Sequence, residues 1–173
     1  MRKLVFLLAT ALLTLPALAV AGSPPSPADQ AAAVKQCSTL RNGMGVAAFK
    51  QLYGTNTSKS NAFGKCVSKL AQQNEQDRSN AAAQCRTERS ADALAFAAKY
   101  GKGPNHTNAF GNCVSAKAKA AAAARVQATV SAAKTCWTER KGGLAAFNTK
   151  YGTNADKSNA FGKCVSSHVK HTP

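Results

Sequence analysis

The chain has 173 residues and carries 23 Lys and Arg against 7 Asp and Glu, a formal net charge of +16 at neutral pH. Beyond the first 21 residues no stretch is apolar enough to span a bilayer, which excludes a membrane protein built on later spans. The six cysteines all lie after that point, and their even count points to disulfides in an oxidising compartment.

The N-terminus reads as a secretory signal peptide over residues 1–21. Arg2 and Lys3 are followed by an apolar run from Leu4 to Val20 and by two A-x-A sites, at 17–19 and 19–21. A membrane anchor fits less well, because a spanning helix needs about 20 apolar residues and this run is shorter and broken by Pro16. Cleavage after Ala21 is expected, leaving no stable membrane anchor and a secreted or cell-envelope location. Losing Arg2 and Lys3 takes the net charge from +16 to +14. Residues 22–33 open with three prolines between Gly22 and Pro27 and are expected to form a flexible leader.

Internal repetition dominates the rest. Three units are expected, over residues 34–81, 82–132 and 133–173. Each has a Cys, an Arg four residues on (Arg41, Arg89, Arg140), a Phe, and a Tyr-Gly four residues after that Phe. A polar loop then leads to Asn-Ala-Phe-Gly-x-Cys-Val-Ser, with its Asn eight residues after the Tyr in every copy. The Tyr-Gly-Thr-Asn loop followed by Asn-Ala-Phe-Gly-Lys-Cys-Val resembles secreted actinobacterial proteins to which no activity is assigned, and the resemblance spans residues 34–170. It implies export and a bacterial origin and transfers no functional residue. Unit two departs from it, with Gly101-Lys102-Gly103-Pro104 in the loop.

An all-α fold is expected: three tandem disulfide-linked helical hairpins joined by long shared helices. The segments before each first Cys are rich in Ala, Gln and Lys, which are good helix formers. Glycines interrupt them at Gly43 and Gly45 and at Gly142 and Gly143, while unit two has Ser90-Ala91-Asp92 there, a weaker break able to start a new helix as a cap. Short helices end near Gly54, Gly101 and Gly152, the expected C′ positions. Ser60, Thr107 and Ser158 are the expected N-caps of the next helices. Those helices present one apolar face, as in Ala62, Phe63, Cys66, Val67 and Leu70.

No Pro or Gly lies between Cys66 and Cys85 or between Cys113 and Cys136, so continuous helices are predicted over roughly 60–90 and 107–141. A helix would hold Cys66 and Cys85 about 28 Å apart, whereas a bridge needs Cα atoms within about 7 Å. The pairing that follows is Cys37–Cys66, Cys85–Cys113 and Cys136–Cys164. Pairing Cys66 with Cys85 and Cys113 with Cys136 would instead require a hairpin in each linker.

No catalytic residue can be nominated, and the chain reads as a non-enzyme. His106, His168 and His171 do not recur between units, and no Ser-His-acid set or carboxylate pair is present. No cofactor or metal is expected. The cysteines lack the close-spaced pairs of zinc sites, and the loops around Thr55, Asn56, Thr153, Asn154 and Asp156 have too few carboxylates for calcium. Glu88-Arg89 and Glu139-Arg140 read as structural contacts near helix ends more readily than as a ligand groove. Trp137 is the one mature aromatic outside the repeat frame, and packing against a neighbouring unit is favoured for it.

The charge leaves an anionic polymer as the favoured partner: a wall polymer, a polysaccharide or nucleic acid bound without sequence specificity. Lys50, Lys59, Lys65, Lys69, Lys99, Lys102, Lys150, Lys157 and Lys163 are its candidate contacts. The alternative is a scaffold of stacked hairpins that binds other proteins through a rod or concave face. The oligomeric state is not legible from the sequence.

Overall fold

The computed structural model describes residues 24–170, so the signal-peptide reading of residues 1–21 lies outside them. Seven helices follow in order: α1 (Pro27–Met44), α2 (Val46–Tyr53), α3 (Ala62–Ala91), α4 (Ala93–Tyr100), α5 (Ala109–Gly142), α6 (Leu144–Tyr151) and α7 (Ala160–Lys170). No strand occurs among the described residues. The fold is all-α.

The prolines of the expected leader start a helix. Ser26 is the N-cap of α1: its hydroxyl accepts from the Asp29 N–H at 3.2 Å, and its own N–H donates to the Asp29 carboxylate at 2.9 Å. Pro27 sits at the first helical position, where its missing N–H costs nothing. The flexible-leader reading of 22–33 therefore fails from Pro27 onward. Buried Asp29 is further tied to α3 by Arg78 at 2.8 Å, and its carbonyl accepts from Asn74 Nδ2 at 3.1 Å.

The shared helices are present. α3 has 30 residues and α5 has 34, lengths of about 45 and 51 Å. Both run through the unit boundaries, and the bridges close as the rise per residue requires: Cys37–Cys66, Cys85–Cys113 and Cys136–Cys164, with Cα separations of 6.0, 6.1 and 6.0 Å. All six cysteines are fully buried. Three such bridges fit an oxidising compartment.

The helix ends differ in detail from the sequence expectation. Gly43 lies inside α1, and the break falls at Gly45, whose φ of 85° few other residues adopt. Gly142 likewise ends α5, and Gly143 forms the break. Of the Ser90-Ala91-Asp92 break, Asp92 caps α4, accepting from the Ala95 N–H at 2.9 Å. Ser60, Thr107 and Ser158 are not N-caps: Asn61, Asn108 and Asn159 stand immediately before the helices. Gly54, Gly101 and Gly152 are not left-handed C′ residues either, with φ of −73°, −70° and −73°. They are glycine because the returning loop crowds them. A Cβ on Gly54 would lie 2.6 Å from Lys59 Cβ, and one on Gly101 would lie 2.5 Å from His106 Cα.

The hairpins do not stack into a rod. α3 and α5 run antiparallel side by side, joined by Cys85–Cys113 at one end and by an Arg125–Asp77 ion pair of 2.7 Å along their length. α1 and α7 pack alongside them at the other end, and α2 packs against α7. Units one and three consequently share one core that includes Leu40, Phe49, Leu70, Ala133, Phe161 and Val165. Unit two stands apart with a small core of Cys85, Phe96 and Cys113.

Since the bridge supplies much of unit two's own core, removing it should act locally. Replacing Cys85 and Cys113 together by Ser is expected to cost about 3–4 kcal/mol and to speed hydrogen exchange over residues 93–113, leaving α1 and α7 protected. Reduction of all three bridges should remove most of the near-ultraviolet dichroism. Thermal unfolding unchanged by a reducing agent would overturn this account.

Candidate polyanion-binding groove

The loops that follow each Tyr-Gly are built to hold themselves. In unit one the Asn61 carboxamide clamps Thr55 twice, accepting from its N–H at 3.0 Å and donating to its hydroxyl at 2.8 Å. Asn159 and Thr153 repeat the pair in unit three at 3.0 and 2.7 Å. Asn56 and Asn154 donate to Ser60 and Ser158. These groups partner one another rather than leaving their oxygens for calcium. Unit two lacks the Thr and closes its loop with backbone hydrogen bonds between Lys102 and Thr107.

Two of the expected polyanion contacts are part of this closure. Lys59 and Lys157 occupy the same repeat position, each with φ of 57°, a left-handed conformation unusual for a side-chain-bearing residue. Their ammonium groups fold back onto the carbonyls of Gly54 and Gly152, at 3.1 and 3.2 Å. Two more of the expected contacts, Lys99 and Lys150, are held by carboxylates. Lys99 and Lys117 approach Glu88 at 3.7 and 3.3 Å, and Lys150 meets Glu139 at 2.7 Å. Each of these glutamates also accepts the unit's Tyr hydroxyl, from Tyr100 at 2.8 Å and from Tyr151 at 2.9 Å.

The Thr-Glu-Arg segments are therefore structural. The Tyr100 hydroxyl, with Lys117 and Lys99, holds the Glu88 carboxyl below its ordinary value of 4.5, and Lys150 with Tyr151 does the same for Glu139. Arg89 lies over the Phe110 ring at 5.1 Å and Arg140 over Trp137 at 5.3 Å. Trp137 itself meets Phe161 edge-on at 5.8 Å. It packs against the core that units one and three share.

Folding back sets unit one against unit three and leaves a groove of about 840 Å³ between them. One bank carries Gln51 of α2, Lys59 and Thr55 of the unit-one loop, and Lys69 of α3. The other bank comes from the loop before α7 and from α7 itself, with Lys163 and Ser166. No carboxylate and no aromatic ring lines it. The side chains of Lys69, Lys163, Ser166 and Gln51 have no hydrogen-bond or ion-pair partner among the described residues; Gln51 is half-buried and the other three are exposed. Asp156, next to the groove residue Ser158 in the same loop, accepts from Asn154 Nδ2 at 2.6 Å and from the Ser158 N–H at 3.1 Å. The hydrogen bonds from Ser158, with the charge of Lys59, keep its carboxyl below the usual range. Lys59 also borders a smaller hollow with Arg41 and Lys50.

Of the nine lysines expected to contact a polyanion, Lys59, Lys69 and Lys163 thus come together, with Lys50 next to them. Lys65 and Lys102 are exposed and line neither hollow, and Lys102 lies in the separate unit two. Sequence reasoning did not single out Gln51, Thr55 or Ser166 as groove residues, because their juxtaposition arises only from the docking of units. The three potential metal-ligating side chains that converge, Cys136, Cys164 and His168, include two sulfurs already bonded to each other. Among the described residues no helix is long and apolar enough to cross a membrane. Comparison with family models, curated proteins and solved structures finds no match for this chain.

The carboxylate geometry sets an acid dependence. A carboxyl whose folded-state pKa is depressed contributes stability above its unfolded value and loses it as the pH falls through that value toward the folded one. Acidification from about pH 6 to about pH 3 should therefore lower the thermal midpoint, and replacing Glu88 and Glu139 by Gln should flatten that dependence. The effect is small, because the glutamate side chains are still 37% and 33% exposed and solvent screens them.

Tyr53 gives the opposite sign. Unit one has Leu40 where the other units have the glutamate, and burial pushes the Tyr53 phenol up to about 12, with the Arg125 guanidinium pulling the other way. Its contribution is complete below the ordinary phenol value of 10 and is lost as the pH rises toward 12. Phenolate absorbance should show a late component near pH 12 that disappears in Tyr53→Phe.

Proposed function

We propose that this chain is an exported, non-catalytic protein that binds an anionic polymer through the groove between units one and three. The observation that carries the reading is the convergence of Lys59, Lys69 and Lys163 on one cleft with no acid in its lining. Like charges are gathered there against their mutual repulsion, and a cleft with low-dielectric walls concentrates the resulting field on an incoming anion. Displacement of counterions from a polyanion then supplies affinity. Export fits the three bridges and the N-terminal sequence pattern, and the resemblance to secreted actinobacterial proteins agrees with it.

A scaffold that docks other proteins is the second reading. Val46, Leu94 and Leu144 favour it, since each short helix exposes one large aliphatic residue near its start. Scattered single apolar residues are common on soluble surfaces, so the groove carries more weight.

Retention on immobilised heparin tests the proposal. Wild-type protein should stay bound above about 0.5 M salt. Lys69→Ala with Lys163→Ala should elute well before Lys65→Ala with Lys102→Ala, although both pairs lose the same charge. Asp156→Asn should elute later than wild type. Equal elution of the two lysine pairs, or full release of wild type near physiological salt, would reduce the groove to generic charge.

A further inference from the structure

Unit one lacks a polar cluster that the other two copies share. In units two and three the Tyr hydroxyl donates to a glutamate, Glu88 or Glu139, and the lysine before the Tyr, Lys99 or Lys150, pairs with the same carboxylate. Four residues after the second Cys stand Lys117 and His168, whose charges act on those two carboxyls. Unit one has leucine at all three places: Leu40, Leu52 and Leu70. Its tyrosine is kept. Tyr53 is only 7% exposed, and its hydroxyl has no hydrogen-bond partner among the described residues.

These four side chains line one cavity of about 240 Å³. Val126 and Val165 extend its apolar wall, and no carboxylate lines it. Arg125 reaches it from α5, with its terminal nitrogens on Asp77 at 2.7 Å and Asn74 at 3.0 Å and its buried Nε left without an acceptor. Exposed Lys69 stands where the cavity adjoins the larger groove, and lines both.

We propose that this cavity binds a small aliphatic acid, whose apolar body packs on Leu40, Leu52 and Leu70 and whose carboxylate accepts from the Tyr53 hydroxyl. The ligand supplies from outside the group that Glu88 and Glu139 supply within the other copies. A buried donor without an acceptor carries its full desolvation cost, and the repeat shows twice which acceptor this tyrosine position takes. Burial pushes the Tyr53 phenol up to about 12, so it remains a donor at neutral pH. Arg125 and Lys69 add positive charge on a wall that holds no acid, which strengthens a hydrogen bond to an anion. The three leucines replace polar partners by apolar surface, so the occupant must bring an apolar body of its own. A concave, mostly apolar site with a few convergent polar groups is the usual form of a small-molecule pocket, and this one falls below the about 300–1,000 Å³ of drug-sized ligands. The site does not depend on the polymer reading of the adjoining groove.

Titration of the disulfide-intact protein with isocaproate, followed by nuclear magnetic resonance, tests the proposal. Saturable shifts are expected in the methyl groups of Leu52, Val126 and Val165. Acetate, which lacks the apolar body, and isocaproamide, which lacks the charge, should each bind at least about tenfold more weakly. Tyr53→Phe should fold as well as wild type, because the lost hydroxyl has no partner. It should weaken isocaproate binding by about tenfold and leave elution from heparin unchanged. Leu40→Glu, which restores the internal carboxylate, should abolish isocaproate binding while keeping the near-ultraviolet dichroism. Absence of saturable shifts, equal affinity for acid and amide, or undiminished binding by Tyr53→Phe overturns this proposal. None of these results bears on polymer binding, which the lysine pairs decide separately.

Discussion

An α-helix cannot bring two of its own residues together when they lie nineteen positions apart, and the architecture follows from that stiffness. Cys66 and Cys85 sit on one unbroken helix, α3, as Cys113 and Cys136 do on α5. Each cysteine must therefore find its partner across the local turn, beyond a short helix and a loop. The resulting bridge closes a loop of 28 or 29 residues and is buried at the centre of its hairpin. Around it the Phe and Tyr of the short helix stack at 5.0 Å in all three units. A core this small does not stabilise itself by apolar burial alone, so the covalent link and the ring pair act as one nucleus. The neighbouring Gly is forced because the loop must return close enough to seal it.

Three copies of one motif acquire different fates through a few substitutions on their outward faces. The position three residues after the first Cys is Leu40 in unit one but Glu88 and Glu139 in the others. Leu40 is buried in the shared core, whereas the glutamates stay at the surface and gather lysine and tyrosine. The position four residues after the second Cys is Leu70 in unit one, Lys117 in unit two and His168 in unit three. Gly43 lets α1 approach α5 so closely that a Cβ would stand 2.9 Å from Val130 Cγ2. Unit one is thus the copy whose outer face has become interior. A polar lattice fixes how α1 lies on it: Gln36 Nε2 and Arg125 both donate to Asn74 Oδ1, at 3.1 and 3.0 Å.

The parts of this arrangement legible in the sequence are those set by local spacing. Helix lengths, the bridge pattern and the Asp92 cap depend on residues within one hairpin or one helix, and periodicity reports them. The start of α1 was misread because prolines near a helix N-terminus look like a linker until Ser26 and Asp29 are seen as a capping box. The glycines after Tyr read as helix-ending C′ residues in the sequence, whereas crowding by the returning loop, which leaves no trace in composition, is what requires them. The docking of unit three on unit one is not legible there because it depends on Leu40 and Leu70 differing from their counterparts. A search for what repeats discards such differences.

The same logic bears on the groove. Lys59 and Lys157 have the same motif position, the same left-handed backbone and the same bond to a glycine carbonyl, yet only Lys59 lines the cleft. The repeat therefore assigns its loop lysine a structural duty, and any binding duty comes from what the assembled molecule places opposite it. Lys69 and Lys163 make the point more sharply. Their counterparts in other copies include Ser167, which lies across the same groove, and Asn112, which donates to the Tyr100 carbonyl at 2.9 Å. The cleft is a property of the quasi-bundle formed by α1, α3, α5 and α7, which brings α2 and α7 together. Changes such as Gly43→Val that loosen α1 from α5 should therefore reshape the cleft without touching a single lysine.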